Sequence, residues 1–486
     1  MKILKMILAV IFVSGFIINQ FGYKSSPVIA KSKKLNSFPA EDAPCTAPTE
    51  WFPKTPAPTN SKPNKNSECD FYKWAWQTFL YITQTESQGN GRLRFLNFDT
   101  NSQLFANASP LFSNSKVLDA KKKNELILAP RLEKESLVGD LDAVLQAGSN
   151  GVLIDQNGRA IYYGQHINSV FVNFVKDNGY TDMTKLKNAP ADQVFPKGSL
   201  ELKSSWKIVA LGEDASKFFT TKALVSKLIT KNGKIVIDPQ NTREETVALI
   251  GLHVVGVVEG HPEFIWATFE HNDNAPPLPE VVTDPESTLP VDTTRNWTLY
   301  AKGTRASDCN RVPGKPPQSP LAFVNEANQM LQPRVSVFRQ FSFAGDDQIK
   351  DLNESVHNQL PNNMSVWKNY TFMGAVWLNT PERDFKLGIN IQEADRNQIK
   401  NDPSIGEDPD KRILGGEREM SNTTMETFTQ STQSCFSCHT PNAKPVPHSE
   451  EEFPAKLIGI SHVLVNAYIY SQQVTNKNIL LNKHIK

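Results

Sequence analysis

The chain has 486 residues, with 52 Lys and Arg against 51 Asp and Glu, a formal net charge of +1. Hydrophobic residues make up 39% and charged residues 21%, which supports packed cores in one large unit or a few smaller ones and excludes global disorder. No Lys/Arg-rich block stands out, which argues against nucleic acid or an anionic membrane surface as a partner.

The N-terminus reads as an export signal. Two lysines within Met1–Lys5 precede the uncharged apolar run Met6–Ile18, which is short for a bilayer span, and Val28-Ile29-Ala30 offers small residues for cleavage. Residues 1–30 are therefore expected to be removed, leaving an exported, periplasmic chain with no transmembrane span. Residues 31–67, rich in Pro, Thr, Ser, Asn and Lys, read as a disordered tether.

From Cys69 onward helix and strand signals alternate. CDFYKWAWQTFLYIT puts Tyr72, Trp76, Phe79 and Leu80 on one helical face, with Ser67 as a candidate cap. GVLIDQNGRAIYYGQHI reads as a hairpin turning at Asn157-Gly158, and SLELKSSWKIVAL as a strand. VALIGLHVVGVV, then EGHP, then EFIWATFEH reads as a long buried hairpin in which Trp266 is a core residue. Helices are expected in AFVNEANQML and IKDLNESVHNQL, and a strand in SVWKNYTFMGAVWLN. The fold class is α+β: a β-rich body with helices over 68–404, and a small C-terminal haem-binding segment over 405–486.

Five cysteines carry the sharpest signal: Cys45, Cys69, Cys309, Cys435 and Cys438. The last two stand in Cys435-Phe-Ser-Cys438-His439, the C-x-x-C-H spacing of c-type haem attachment. Two intervening residues let both thiols reach the two vinyl groups of one haem, and the adjacent imidazole then comes up beneath the iron. A redox dithiol would want a thioredoxin-like βαβ context, which the sequence lacks. Zinc would need two further ligands, which His448 and His462 could supply. Expected export favours haem. A Cys45–Cys69 disulfide with Cys309 left over and a Cys69–Cys309 pairing with Cys45 free are both open.

The strings SSWKIV, GHPEFIWATFEH, NTTMETFTQSTQSCFSCH and ISHVL resemble those of a family of exported bacterial proteins known as cytochrome c family proteins. The resemblance runs from about Cys69 to Tyr470. It implies one covalent haem c on Cys435, Cys438 and His439, and a periplasmic location, but no reaction or substrate.

Small cytochromes c place a methionine ligand downstream of the haem motif. Here none of the residues after His439 is Met. The candidate distal iron ligand is His462, which opens the apolar run HVLVNAYIY, and the alternative is Met425 in the approach to the motif; the same His462 could instead begin a helix behind Ser461. His448 reads as a solvated loop residue and His484 as part of a fraying end.

A second constellation, His253, His261, Glu263 and His271, invites a metal reading. With Glu259–Pro262 as the hairpin loop, residues whose numbers sum to 521 lie opposite each other. His253 then faces Thr268, while His271 falls on the other side of the sheet and His261 at its far end, so one ion cannot gather the three histidines; a one-residue slip would reverse this. No nucleophile elbow, phosphate loop, dinucleotide fingerprint or HExxH is present. Two classes of function follow: one-electron transfer to an unidentified periplasmic redox partner, or a haem-dependent oxidoreductase. A module that haem merely stabilises stands behind them.

Overall fold

The structure, a computed structural model, describes residues 44–58, 62–65, 67–86, 92–105, 125–130, 151–279, 282, 284–340, 347–407, 411–418, 420–430, 435–447 and 449–484. The signal-peptide reading and His448 lie outside the described residues.

The order of elements is α1 (Glu68–Ile82), α2 (Asn101–Phe105), β1 (Leu126–Pro130), β2 (Tyr162–Ile167), α3 (Ser169–Asp177), α4 (Met183–Lys187), β3 (Leu200–Ile208), β4 (Thr220–Lys231), β5 (Lys234–Val258) and β6 (His261–His271). There follow β7 (Ala322–Asn325), β8 (Met330–Gln332), α5 (Asp347–Gln359), β9 (Tyr370–Leu378), α6 (Pro381–Asp384), α7 (Ile391–Asn401), β10 (Leu414–Gly416), α8 (Cys435–Cys438), β11 (Lys444–Pro445), β12 (Glu452–Phe453) and α9 (His462–His484). The architecture is α+β, a strand-rich body with helices.

Branched and aromatic residues make β5 and β6 the middle of an eight-stranded sheet, ordered β10-β9-β6-β5-β3-β2-β1-β4. β5 is long enough to pair with β3 and β6 along one half and with β4 along the rest. Because β4 also pairs with β1 in parallel, the pairings β3–β5–β4–β1–β2–β3 close a ring. β6, β9 and β10 extend from it as an open wing.

The period of two along each strand sends alternate side chains into two cores. One core takes Leu252, Val254, Ala267, Phe269 and Phe372 together with helix α1. In α1 the expected stripe Tyr72, Trp76, Phe79 and Leu80 is buried, and so are Phe71 and Trp74. Trp76 donates its indole N–H to Asn353 Oδ1 of α5 at 3.0 Å. Ser67 precedes α1 but makes no side-chain cap. The other core takes Val255, Trp266, Val376 and Leu378 together with Phe436, Val463, Leu464 and Tyr468.

Three expectations need correction. Residues 322–331 form the hairpin β7–β8 rather than a helix. There, Asn325 Oδ1 accepts the Asn328 N–H at 3.0 Å, and Gln329 takes a positive φ of 54° while its side chain bridges both backbone groups of Leu228. Turn chemistry and this tertiary anchor override helical spacing. The strand expected from Ser365 begins only at Tyr370, after a 3₁₀ helix Asn362–Asn369. Residues 44–58 also lie against the body rather than free of it: Trp51 is buried, Ser355 accepts the Ala47 N–H, and Cys45 is disulfide-bonded to Cys69. The disulfide settles the pairing, and Cys309 is a buried free thiol. The segment after residue 405 is likewise tied in, through β10 on the sheet edge and residues 422–426 on the sheet face. No helix among the described residues is long and apolar enough to cross a membrane.

Candidate functional site

Cys435 and Cys438 occupy a single helical turn, and the His439 N–H closes it on the Cys435 carbonyl at 2.9 Å. Phe436, fully buried between them in sequence, fastens the turn to the second core beside Trp266. This anchoring turns the His439 side chain inward, where it is only 9% exposed.

Three neighbours define the His439 ring. Its Nδ1 lies 2.8 Å from the Ile460 carbonyl oxygen, which can only accept, so Nδ1 carries the proton and Nε2 the lone pair. The Trp266 ring lies 4.0 Å away, centre to centre, tilted by 42°. The His462 ring is stacked on it at 3.9 Å with 21° between the planes. Burial, followed by the charge of His462, pushes the His439 pKa well below its ordinary value, so the imidazole is neutral. His462 Nε2 donates to the Cys438 carbonyl at 3.2 Å, which Lys444 Nζ also approaches at 3.1 Å.

Beneath this turn lies a buried polar layer on the sheet. Glu201 of β3 accepts from Gln165 at 2.6 Å and from Ser461 at 2.7 Å, and burial pushes its carboxyl up. His253 of β5 meets Thr268 Oγ1 at 2.9 Å through Nδ1 and Glu426 Oε1 at 3.1 Å through Nε2. Burial alone would raise the Glu426 carboxyl, but the charge and hydrogen bond of His253 outweigh it and hold it below the usual carboxylate range. Glu270 pairs with Arg339 at 3.0 Å and accepts the Thr423 N–H at 2.9 Å. The Cys435 thiol pKa is pushed up, first by burial and then by Glu426 and Cys438.

Of the residues singled out from sequence, Cys435, Cys438, His439 and His462 come together. Met425 does not join them: it packs into the opposite core with α1, whereas Met420 shares the second core with Phe436. His462 begins α9, with Ser461 Oγ accepting the Val463 N–H at 3.2 Å. The histidine constellation is dispersed, as the hairpin register requires. His253 pairs with Thr268, His261 with Glu263, and His271 reaches the Lys217 carbonyl while stacking on Phe218. Among the described residues no group of three or more His, Cys, Asp or Glu is placed to hold a metal ion.

Glu201, Glu426 and the Ile460 carbonyl were not singled out from sequence. Their convergence depends on which loop docks on which sheet face, and no local pattern encodes that. Trp266 was expected in the core; its second feature is a buried Nε1 with no hydrogen-bond partner among the described residues, on a ring packed against His439.

Compared with known proteins, the chain matches no family model, no curated protein and no solved structure.

Proposed function

We propose that the chain is an exported mono-haem c-type cytochrome-like protein, in which Cys435 and Cys438 hold one haem c covalently, His439 ligates its iron, and the protein passes single electrons to and from a periplasmic redox partner. The observation that carries this reading is the His439 tautomer. A backbone carbonyl fixes the proton on Nδ1 and leaves Nε2 as a neutral donor atom, the arrangement a histidine ligand needs, one residue beyond two thiols in the same turn. Trp266 Nε1, without a hydrogen-bond partner among the described residues, adds a buried donor that a further group could satisfy. The resemblance to exported cytochrome c family proteins points the same way.

When bound, the haem supplies a one-electron iron couple whose potential follows from axial ligation and burial. The chain's own part is to hold the imidazole neutral and oriented and to shield it with Trp266 and His462. The Cys45–Cys69 disulfide supports an oxidising, extracytoplasmic compartment.

A haem-dependent oxidoreductase is the second reading. It is favoured by the His253–Glu426 pair, whose acid and base functions stand close enough for Glu426 to raise the Cys435 thiol.

The test is a haem-stained denaturing gel of periplasmic fractions after coexpression with the c-type maturation machinery. The wild-type band should stain, and Cys435→Ala and Cys438→Ala should lose or cripple the stain. An unstained wild-type band overturns the proposal.

A further inference from the structure

Resting on the haem reading, we infer that Trp266 and His462 are positioning residues for His439, holding its ring between them on one side of the iron, and that His462 is not the ligand on the opposite side. Two imidazoles that bind one metal from opposite faces have their coordinating nitrogens about 4 Å apart and meet edge to edge, with ring centres roughly 6 Å apart, given a metal–nitrogen bond of about 2 Å. The His439 and His462 rings instead lie face to face with centres 3.9 Å apart. His462 Nε2 also points at a carbonyl, that of Cys438, and must carry a proton there.

What the arrangement does is fix a torsion. A histidine ring is free to turn about its Cβ–Cγ bond unless something occupies its faces. Trp266 packs against the ring and His462 is stacked on it, while the Ile460 carbonyl holds the Nδ1 edge and leaves Nε2 with the lone pair. The supports come from unrelated elements: Trp266 from the middle of the sheet, His462 from the start of α9, and Ile460 from the 3₁₀ turn before it. The orientation of the ligand plane is thus set by tertiary packing, and packing is what makes such outer contacts worth a large factor in metal sites. His462 additionally ties α9 to the Cys438 carbonyl, so the helix start and the attachment turn move as one.

The experiment compares His462→Phe, which keeps a ring against His439 but removes both nitrogens, with His462→Ala, which removes the ring. Haem content of the wild type is read first on a stained denaturing gel; its absence overturns the haem reading and this inference with it. In the oxidised holoproteins, electron paramagnetic resonance and optical spectra are recorded. So is the fraction of chains in which His439 has left the iron at a fixed urea concentration below the unfolding midpoint. We expect His462→Phe to match the wild type. His462→Ala should broaden the resonance and raise the detached fraction about tenfold, the scale of outer-contact losses at metal sites. If both variants convert a low-spin wild type to high spin, His462 is the opposite ligand and the inference is wrong. If both leave spectrum and detachment unchanged, His462 merely begins a helix, and the inference is equally overturned. Trp266→Phe against Trp266→Leu carries the same comparison from the sheet side, independently of whether α9 tolerates change at its first residue.

Discussion

Single side chains in this protein are held by what surrounds them more than by their own type. Trp266 is 5% exposed, lies between Phe264, Phe436 and His439, and bears a strand whose neighbours on both sides are paired. Truncating it removes a large buried ring and leaves a cavity that the flanking strands cannot close. We expect Trp266→Ala to destabilise the fold by about 3–5 kcal/mol, read by denaturant titration. An unchanged midpoint would mean that the ring is not a core element. His166 is a second case. It is buried at 2% exposure against Phe95, and its Nδ1 has no hydrogen-bond partner among the described residues. Burial, followed by the charge of Arg92, pulls its pKa down to about 3. The sign follows directly: below about pH 6.5 the unfolded chain takes up a proton there and the folded chain does not, so stability falls with acidity by about 1.4 kcal/mol per pH unit until the folded pKa is reached. Asp155, pushed up to about 7 by burial, acts in the opposite sense over part of that range, so the comparison is made by difference. His166→Phe should flatten the acid limb of a stability–pH curve by roughly that slope between about pH 6 and pH 4. Parallel curves for the two proteins would contradict the assignment.

Among the elements, the β5–β6 hairpin shows how far sequence reasoning reaches. With EGHP taken as the loop, opposite residues sum to 521, and the pairs from Gly251↔Glu270 to Gly256↔Ile265 obey that rule, including His253↔Thr268. Beyond Gly256 the register slips by two to Val258↔His261, because an irregularity with Phe264 at a positive φ of 70° takes up two extra residues of β6 near the loop. Alternation, hairpin length and branched residues were enough for the pairing; the irregularity has no comparable local signal. β3 shows the opposite limit. Its Glu201, Lys203, Ser205 and Lys207 alternate with a set that is apolar except at Ser204, a pattern that elsewhere marks a solvent-facing side, yet every residue of β3 is buried. The polar side is covered by residues 422–426, His439 and Ser461, which arrive from far along the chain. Gly251 admits that cover: a Cβ placed there would lie 2.5 Å from Thr424 Oγ1 and 2.6 Å from Ser205 Oγ, which hydrogen-bond to each other at 2.6 Å. We expect Gly251→Ala to cost about 1–3 kcal/mol through overpacking and to speed amide hydrogen exchange in residues 422–427. Exchange unchanged in that segment would show that the loop does not depend on the hollow.

For the whole molecule, the Cys435–Cys438 turn belongs to the body and is not hung from it. The sheet supplies Trp266, the loop before the motif supplies Glu426 beside Cys435, and the chain after it returns as Ile460, Ser461 and His462. The motif alone was legible in the sequence, because its spacing is dictated by the macrocycle it would serve. Its environment was not, since His439 is shaped by residues more than 170 positions upstream as well as by its neighbours. His439 stands one residue beyond two partly exposed thiols, with its tautomer fixed by a backbone carbonyl and its ring against two others, so the haem proposal is best tested at those sulfurs. The most direct measurement is peptide mapping by mass spectrometry of the protein purified from a host with the c-type maturation machinery. We expect the peptide containing Cys435 and Cys438 to carry the mass of one haem, joined to both sulfurs, with the remaining cysteines free of it. Recovery of that peptide unmodified from the wild-type protein would contradict the haem assignment.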